Sequence, residues 1–189
     1  MKIILGSQSK HRRKLMEEMG LEFEVMAAGI DEKAIRHTDP QELVLALAKA
    51  KAEALIPRID EPAILITSDQ VIVYEGEIRE KPEDAEEARR FLDSYAKHPA
   101  ETVVAVVVTN LANGKSASAV DIAKVFFSPF SEEEIGKIIE DGEVFHIAGG
   151  FDIDGDGWKS HILELEGTRD SVIGLPKEVT KRLISEVTE

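Results

Sequence analysis

Two periodicities divide the chain, and each switch between them marks an element. Lys2 to Leu5 is a short apolar run that predicts a buried strand. Ser9 to Met19 follows a helical period and closes at Gly20, a residue suited to the position just past a helix end. Phe23 to Ala28 predicts a second strand. Pro40 to Leu55 predicts a helix, with Asp39 as N-cap and Pro40 at its first position. Ala63 to Tyr74 is the most apolar strand and turns at Glu75-Gly76. After Lys81-Pro82 a helix is expected from about Glu83 to Tyr95. Glu101 to Asn110 and Ser116 to Phe127 predict a long hairpin about Ala112-Asn113-Gly114. Ser131 to Glu140 predicts a helix whose capping box pairs Ser131 with Glu134. His161 to Glu166 predicts a strand and Pro176 to Val187 a closing helix. Strands and helices alternate, but one connection is an antiparallel hairpin. The expected fold is therefore α/β, a twisted mixed sheet flanked by helices. Without linker, repeat or low-complexity tract, residues 1–189 are expected to form a single domain.

Composition narrows the chemistry. No apolar run reaches the roughly 20 residues of a membrane span. The N-terminus turns basic after Gly6 and has no signal-peptide pattern, so no membrane partner and a cytoplasmic location are expected. The chain has no cysteine, which excludes disulfides and thiolate metal sites. Its 23 basic and 37 acidic residues give a net charge of −14, a surface that repels polymeric nucleic acid. A small anion remains a candidate ligand if a few cations gather in one cleft.

Polar residues that intrude on apolar stripes suggest such a cleft. The segment Gly6-Ser7-Gln8-Ser9-Lys10-His11-Arg12-Arg13-Lys14 leaves a strand and opens a helix. Helix N-termini favour anions, yet this first turn is crowded with cations, an arrangement that suits bound phosphate. At about 100° per residue, Arg12 falls within the stripe of Leu15, Met16 and Met19. In the next helix Lys51 falls on the stripe of Val44, Leu47, Ala48 and Leu55. It either snorkels to the rim or reaches a buried anion. In the apolar strand, Ser68-Asp69-Gln70 breaks the pattern, and Asp69 shares a face with Leu65, Thr67 and Val71. An inward carboxylate is costly unless paired, bound to metal or functional. Cations around it suggest phosphate chemistry with a divalent metal.

The run Leu5-Gly6-Ser7-Gln8-Ser9 with Arg12 resembles the S-x-S-x-x-R opening of the Maf family, nucleoside triphosphate pyrophosphatases related in fold to the inosine triphosphatase group. Glu32-Lys33, Ala48 to Ala52 around Lys51, Ser68-Asp69-Gln70, Lys81-Pro82, Ala148-Gly149 and Gly174-Leu175-Pro176 recur in the family's order, so the resemblance spans the chain. It implies two lobes around a deep cleft, and hydrolysis of a nucleoside triphosphate to monophosphate and pyrophosphate with Mg2+ or Mn2+. It further implies Asp69 as general base, Glu32 as a partner for metal or water, and Lys51 as a catalytic cation. Ser7, Ser9, Arg12 and Lys81 would hold phosphates, and Glu32 with Asp69 the metal. Homodimers are common in the family. Glu32 also reads as part of a solvated loop, and Lys81 as a turn before the helix that Pro82 starts.

Some positions depart from the family pattern. Lys10 replaces a common proline, and Gly150-Phe151 a common Ala-Tyr. Ser-Asp-Gln, with Gln70 in place of threonine, resembles the subgroup acting on 7-methyl-GTP. Asp154 stands where pyrimidine-preferring members carry glutamine, and a carboxylate can accept from guanine's N1–H and amino group. Gln70 and Asp154 are thus the candidate base-specificity residues. The alternatives are a dTTP/UTP pyrophosphatase and a non-catalytic nucleotide-binding regulator of cell division. Asp152 to Gly157 has the look of a calcium loop but lacks its glutamate, and is expected to be a turn. Trp158 either lines the pocket or caps the core. The five histidines show no metal spacing and are expected to be surface or structural.

Overall fold

The computed structural model describes residues 1–189, except the side chain of Asp156. Fourteen strands and α-helices follow one another among the described residues. They begin with β1 (Lys2–Leu5), α1 (Lys10–Glu18), β2 (Glu24–Val25), α2 (Pro40–Leu55) and β3 (Ala63–Tyr74). Next come β4 (Glu77–Arg79), α3 (Ala85–Ser94), β5 (Ala100–Asn110), β6 (Ser116–Phe127) and α4 (Glu132–Asp141). The chain closes with α5 (Asp156–Lys159), β7 (Ile162–Glu166), α6 (Arg169–Ile173) and α7 (Lys177–Thr188). The strands form one seven-stranded mixed sheet in the order β2-β1-β3-β5-β6-β7, with β4 paired to β3. The first three neighbours run parallel and the rest antiparallel.

The capping chemistry acts as the sequence suggests. Ser9, Asp39 and Asp84 each accept a backbone N–H at the start of a helix. Ser131 and Glu134 complete a capping box. The second strand is shorter than expected, because β1 ends at Leu5 and offers no partner beyond Val25 except one bond from the Met26 amide to the Leu5 carbonyl. The short elements β4, α5 and α6 lie outside the expected set. In the first of these, Glu75 and Gly76 both take positive φ and fold a two-residue hairpin back onto β3.

Strand β3 organises the rest. Its odd-numbered side chains face α2, where Leu65, Val71 and Val73 join Val44, Leu47, Ala48 and Leu55 in one apolar cluster. On the other face two clusters form: Ile64 and Ile66 pack with α1 and α7, while Ile72 and Tyr74 pack with α3 and the aromatic residues. Ser68 and Gln70 lie between the two. On its edge away from β5, residues 63–66 of β3 pair with β1 and residues 72–74 with β4. The stretch 67–71 therefore has no strand neighbour on that edge. Backbone polar groups in such a buried gap need other partners.

Candidate active site

The chain leaves β1 through a passage that only glycine fits. The Gly6 amide donates to the Ile66 carbonyl at 2.8 Å, and a Cβ there would lie 2.6 Å from Thr67 Cγ2 and 2.7 Å from Leu55 Cδ1. The chain then turns at Ser7, whose Oγ accepts the Ser9 amide at 3.2 Å. Ser9 in turn caps α1 by accepting the Arg12 amide at 3.3 Å. Both hydroxyls thus stand at a helix N-terminus beside the gap in the sheet. Lys10, His11, Arg13 and Lys14 are exposed around them.

Arg12 is buried, as its place on the apolar stripe predicts. Its Nε donates to the Gly174 carbonyl at 2.9 Å, one terminal nitrogen to the Ser68 carbonyl at 2.8 Å, and the other to Gln70 Oε1 at 3.3 Å. Arg12 therefore plugs the gap left by β1 and β4, satisfying the Ser68 carbonyl that no strand reaches. Its other two N–H groups make no hydrogen bond among the described residues. Burial pulls this guanidinium below its ordinary pKa, against the opposing fields of Asp69 and Glu32.

On the opposite face of β3, Lys51 and Asp69 meet. The Lys51 ammonium donates to Asp69 Oδ1 and lies 2.9 Å from Glu32 Oε1. Thr67 anchors the same stretch by donating to the Ala48 carbonyl at 2.7 Å. Glu32 reaches Lys51 from an exposed short 3-10 helix, Glu32–Ala34, capped by Asp31. Burial raises the Asp69 carboxyl above the usual carboxylate range, and Lys51 and Arg12 partly offset it. A carboxylate of raised basicity, held by one oxygen and with the other free of hydrogen bonds among the described residues, is suited to accept a proton from water.

Lys81 is exposed and pairs with no carboxylate among the described residues. Its loop is fixed from both sides. The Glu80 carbonyl accepts the Gly149 amide at 2.9 Å, and the Gly149 carbonyl accepts from the buried Tyr95 hydroxyl at 2.7 Å. Arg36, two residues past the helix that carries Glu32, reaches Glu80 at 2.9 Å.

Catalytic candidates Lys51, Asp69 and Glu32 thus converge, and Arg12 stands behind them across β3. The chain matches the Maf-like protein model over residues 2–187. It belongs to that family. Within it, the chain is 46% identical to a 7-methyl-GTP pyrophosphatase of Dictyostelium discoideum, across 99% of this chain and 98% of that protein. It is 35% identical to a nucleoside triphosphate pyrophosphatase of a Synechococcus strain, across 98% and 93%. A dTTP/UTP pyrophosphatase of Carboxydothermus hydrogenoformans is 33% identical, across 100% and 98%. Among solved structures, the Ham1 protein of Staphylococcus aureus aligns over 100% of this chain and 96% of its own at 11% identity and TM-score 0.45, too distant a likeness to bear on the site.

The two candidate specificity residues of this Maf-like chain have partners that sequence reasoning missed. Gln70 spends both ends of its amide on protein: Oε1 accepts from Arg12, and Nε2 donates to the Val172 carbonyl at 3.3 Å. Asp154 accepts a two-pronged bond from Arg169, Nε to Oδ1 at 2.8 Å and a terminal nitrogen to Oδ2 at 2.5 Å. The sequence pattern assigns no element to the segment around Arg169. Thr168 and Gly174, cap residues on either side of it, were the signal for a short helix.

Trp158 is buried against Phe127, Phe130 and Phe151, so it belongs to the core. His161 is buried too, bonded to Ser128 and Glu134, and is structural. In the segment that resembles a calcium loop, Asp152 accepts the amides of Asp154 and Gly155 in a turn that leads into α5. Two open hollows on the surface lie along α3; the first is lined by acidic Glu83, Asp84, Glu86, Glu87 and Asp93 together with Arg89, Arg90 and Lys97. Neither includes Lys51, Asp69 or Arg12.

Proposed function

We propose that this protein hydrolyses a nucleoside triphosphate, with 7-methyl-GTP as its preferred substrate, to the nucleoside monophosphate and pyrophosphate. The observation that carries the reading is the buried Lys51–Asp69 pair, shared with Glu32, beside a helix N-terminus furnished with Ser7 and Ser9. Asp69 takes a proton from water as its oxygen bonds to the α-phosphorus. The bond from that phosphorus to the bridging oxygen breaks, and pyrophosphate leaves. Lys51 holds the Asp69 carboxylate in place and offers positive charge to the phosphoryl oxygens. Ser7, Ser9, the α1 N-terminus, Arg12 and Lys81 take the phosphates.

Mg2+ or Mn2+ would be held by Glu32 and Asp69 together with the substrate. Among the described residues no group of three or more His, Asp or Glu forms a cage. Two carboxylates suit Mg2+, which is commonly bound by one or two carboxylates plus substrate phosphates. When bound, the ion would neutralise charge on the triphosphate. Preference for a guanine base rests on Asp154 and on the likeness to the Dictyostelium relative. A carboxylate offers about four acceptor sites, and Arg169 uses two of Asp154's, so two remain for the N1–H and amino group of the base.

The test is pyrophosphate release from a nucleotide panel with Mg2+ or Mn2+, comparing wild type with Asp69→Asn. The expected result is release from 7-methyl-GTP above UTP and dTTP, and a loss of at least about a hundredfold in the variant. Equal release by both proteins would remove Asp69 as the base. No release by wild type, with binding retained, would favour a regulator.

A further inference from the structure

Three parts of the site hang on one short helix. Arg169, the first residue of α6, holds Asp154 through two parallel bonds. The Val172 carbonyl holds the Gln70 amide. At the C-cap, the Gly174 carbonyl accepts from Arg12 Nε at 2.9 Å and from Ser68 Oγ at 2.8 Å. The helix is itself pinned at its start by the Thr168 side chain, which accepts the Ser171 amide, and at its exit by Asp170, which accepts the Lys177 amide at 2.5 Å. So a candidate base reader, the residue after the candidate general base, and the arginine that plugs the sheet all take their positions from α6.

We propose that Arg169 is a positioning residue for base selection: its fork fixes the Asp154 carboxylate so that the two unused lone pairs meet a guanine edge. The inference rests on the reading in which Asp154 contacts the base. Asp154 stands on a turn, and its side chain has two rotatable bonds. A single contact would leave it free to swing, whereas a planar guanidinium sets the plane of the carboxylate. Pairing also offsets the carboxylate's charge, so that selection depends on donor geometry more than on attraction to cations. A guanine edge presents two adjacent donors. A uracil or thymine edge places its single N–H between two carbonyls, which a fixed carboxylate repels. The ion pair itself is partly exposed, at 41% for Arg169 and 24% for Asp154, so its contribution to stability is small. Its value lies in orientation.

The experiment measures kcat and KM for 7-methyl-GTP and UTP with the full chain. The proteins compared are wild type, Arg169→Gln, Arg169→Lys, Asp154→Asn and the Arg169→Gln/Asp154→Asn double variant. Arg169→Gln and Asp154→Asn are each expected to lower the 7-methyl-GTP to UTP ratio of kcat/KM by about tenfold, mainly through KM. The double variant is expected to fall no further than Asp154→Asn alone, and Arg169→Lys, which keeps the charge without the fork, to recover part of the loss. If Arg169→Gln leaves the ratio unchanged, or its effect multiplies in full with that of Asp154→Asn, the inference is overturned while Asp154 keeps its role. An unchanged ratio in Asp154→Asn overturns both. Should Arg169→Gln lower the melting temperature, Arg169→Lys alone decides: a ratio equal to wild type would show that charge suffices and the fork does not matter.

Discussion

Replacing Lys51 with methionine isolates the electrostatics of the site. The side chain keeps its length and apolar stem but loses the ammonium shared by Asp69 and Glu32. Asp69 is only 8% exposed, and burial already raises its pKa; Lys51 is the first of the groups that oppose the rise. Without it, the folded state must either carry a buried carboxylate with only Arg12 behind it, or bind a proton. Breaking a buried pair by removing one partner costs about 3–5 kcal/mol, and the remaining field of Arg12 argues for the lower end, about 3 kcal/mol. For a chain of this size each kcal/mol moves the melting temperature by about 2–4 °C, so a drop of about 6–12 °C is expected at pH 7.5.

The sign of the pH dependence follows. At pH values below the ordinary carboxylate pKa, Asp69 is protonated in both folded and unfolded chains and the two states bind the same protons. As pH rises towards the raised folded-state pKa, the unfolded chain ionises freely while the folded chain resists, and stability is lost. The gap between wild type and Lys51→Met is therefore largest at pH 7.5 and narrows towards pH 4.5. Thermal unfolding followed by circular dichroism across that range measures it. Adding Asp69→Asn to Lys51→Met is expected to recover most of the loss. A gap that is flat with pH, or a double variant no more stable than the single, would refute the account of Lys51 as the group that keeps Asp69 charged.

Two further perturbations test the frame around the site. Gly174→Ala places a Cβ 1.5 Å from Gln70 Oε1 at a residue with φ of +106°, so it should displace Gln70 and Arg12 together. A loss of about 2 kcal/mol in thermal or urea unfolding is expected, with a fall in pyrophosphate release. Ser131→Ala breaks the capping box of α4, whose Ile135 packs in a different cluster from the β3 residues on the Asp69 face, and should cost about 1 kcal/mol with kcat/KM unchanged.

What could be read from the sequence was orientation, and what could not was partnership. Helical spacing put Arg12 and Lys51 on buried stripes, and strand alternation put Asp69 on one face with Leu65, Thr67 and Val71; all three are buried. Periodicity names a face without naming what packs on it. The acceptor of Arg12 Nε is 162 residues away, at a glycine whose carbonyl nothing local makes special. Most long elements were legible to within two residues: α2, β3 and β6 keep the bounds their patterns predict, as does the four-residue β1. Short ones were not, because β4 and α6 hold too few residues to establish a period. Their existence depends on neighbours: β4 on the end of β3 that β1 does not reach, and α6 on the bonds it accepts from Arg12, Ser68 and Gln70.

The placing of the chemistry has a topological cause. Strands β1 and β4 pair with the same edge of β3, and neither covers residues 67–71. A gap in the middle of a buried edge leaves main-chain groups that water cannot easily reach, so polar side chains have to enter the core there. Arg12 enters from α1 and binds the Ser68 carbonyl; Thr67 and Lys51 bring α2 against the other face. Once these groups are inside, a carboxylate at position 69 is tolerable, with Lys51 bonded to it and the positive field of Arg12 nearby. The same burial that makes Asp69 costly raises its basicity, which the proposed role of general base would use. The cations that offset that cost are the ones the proposed function assigns to the phosphates. A sheet continuous at this edge would have supplied Ser68 with a strand partner and given Arg12 no reason to cross the core. The buried carboxylate and its cations therefore stand or fall together with the missing strand.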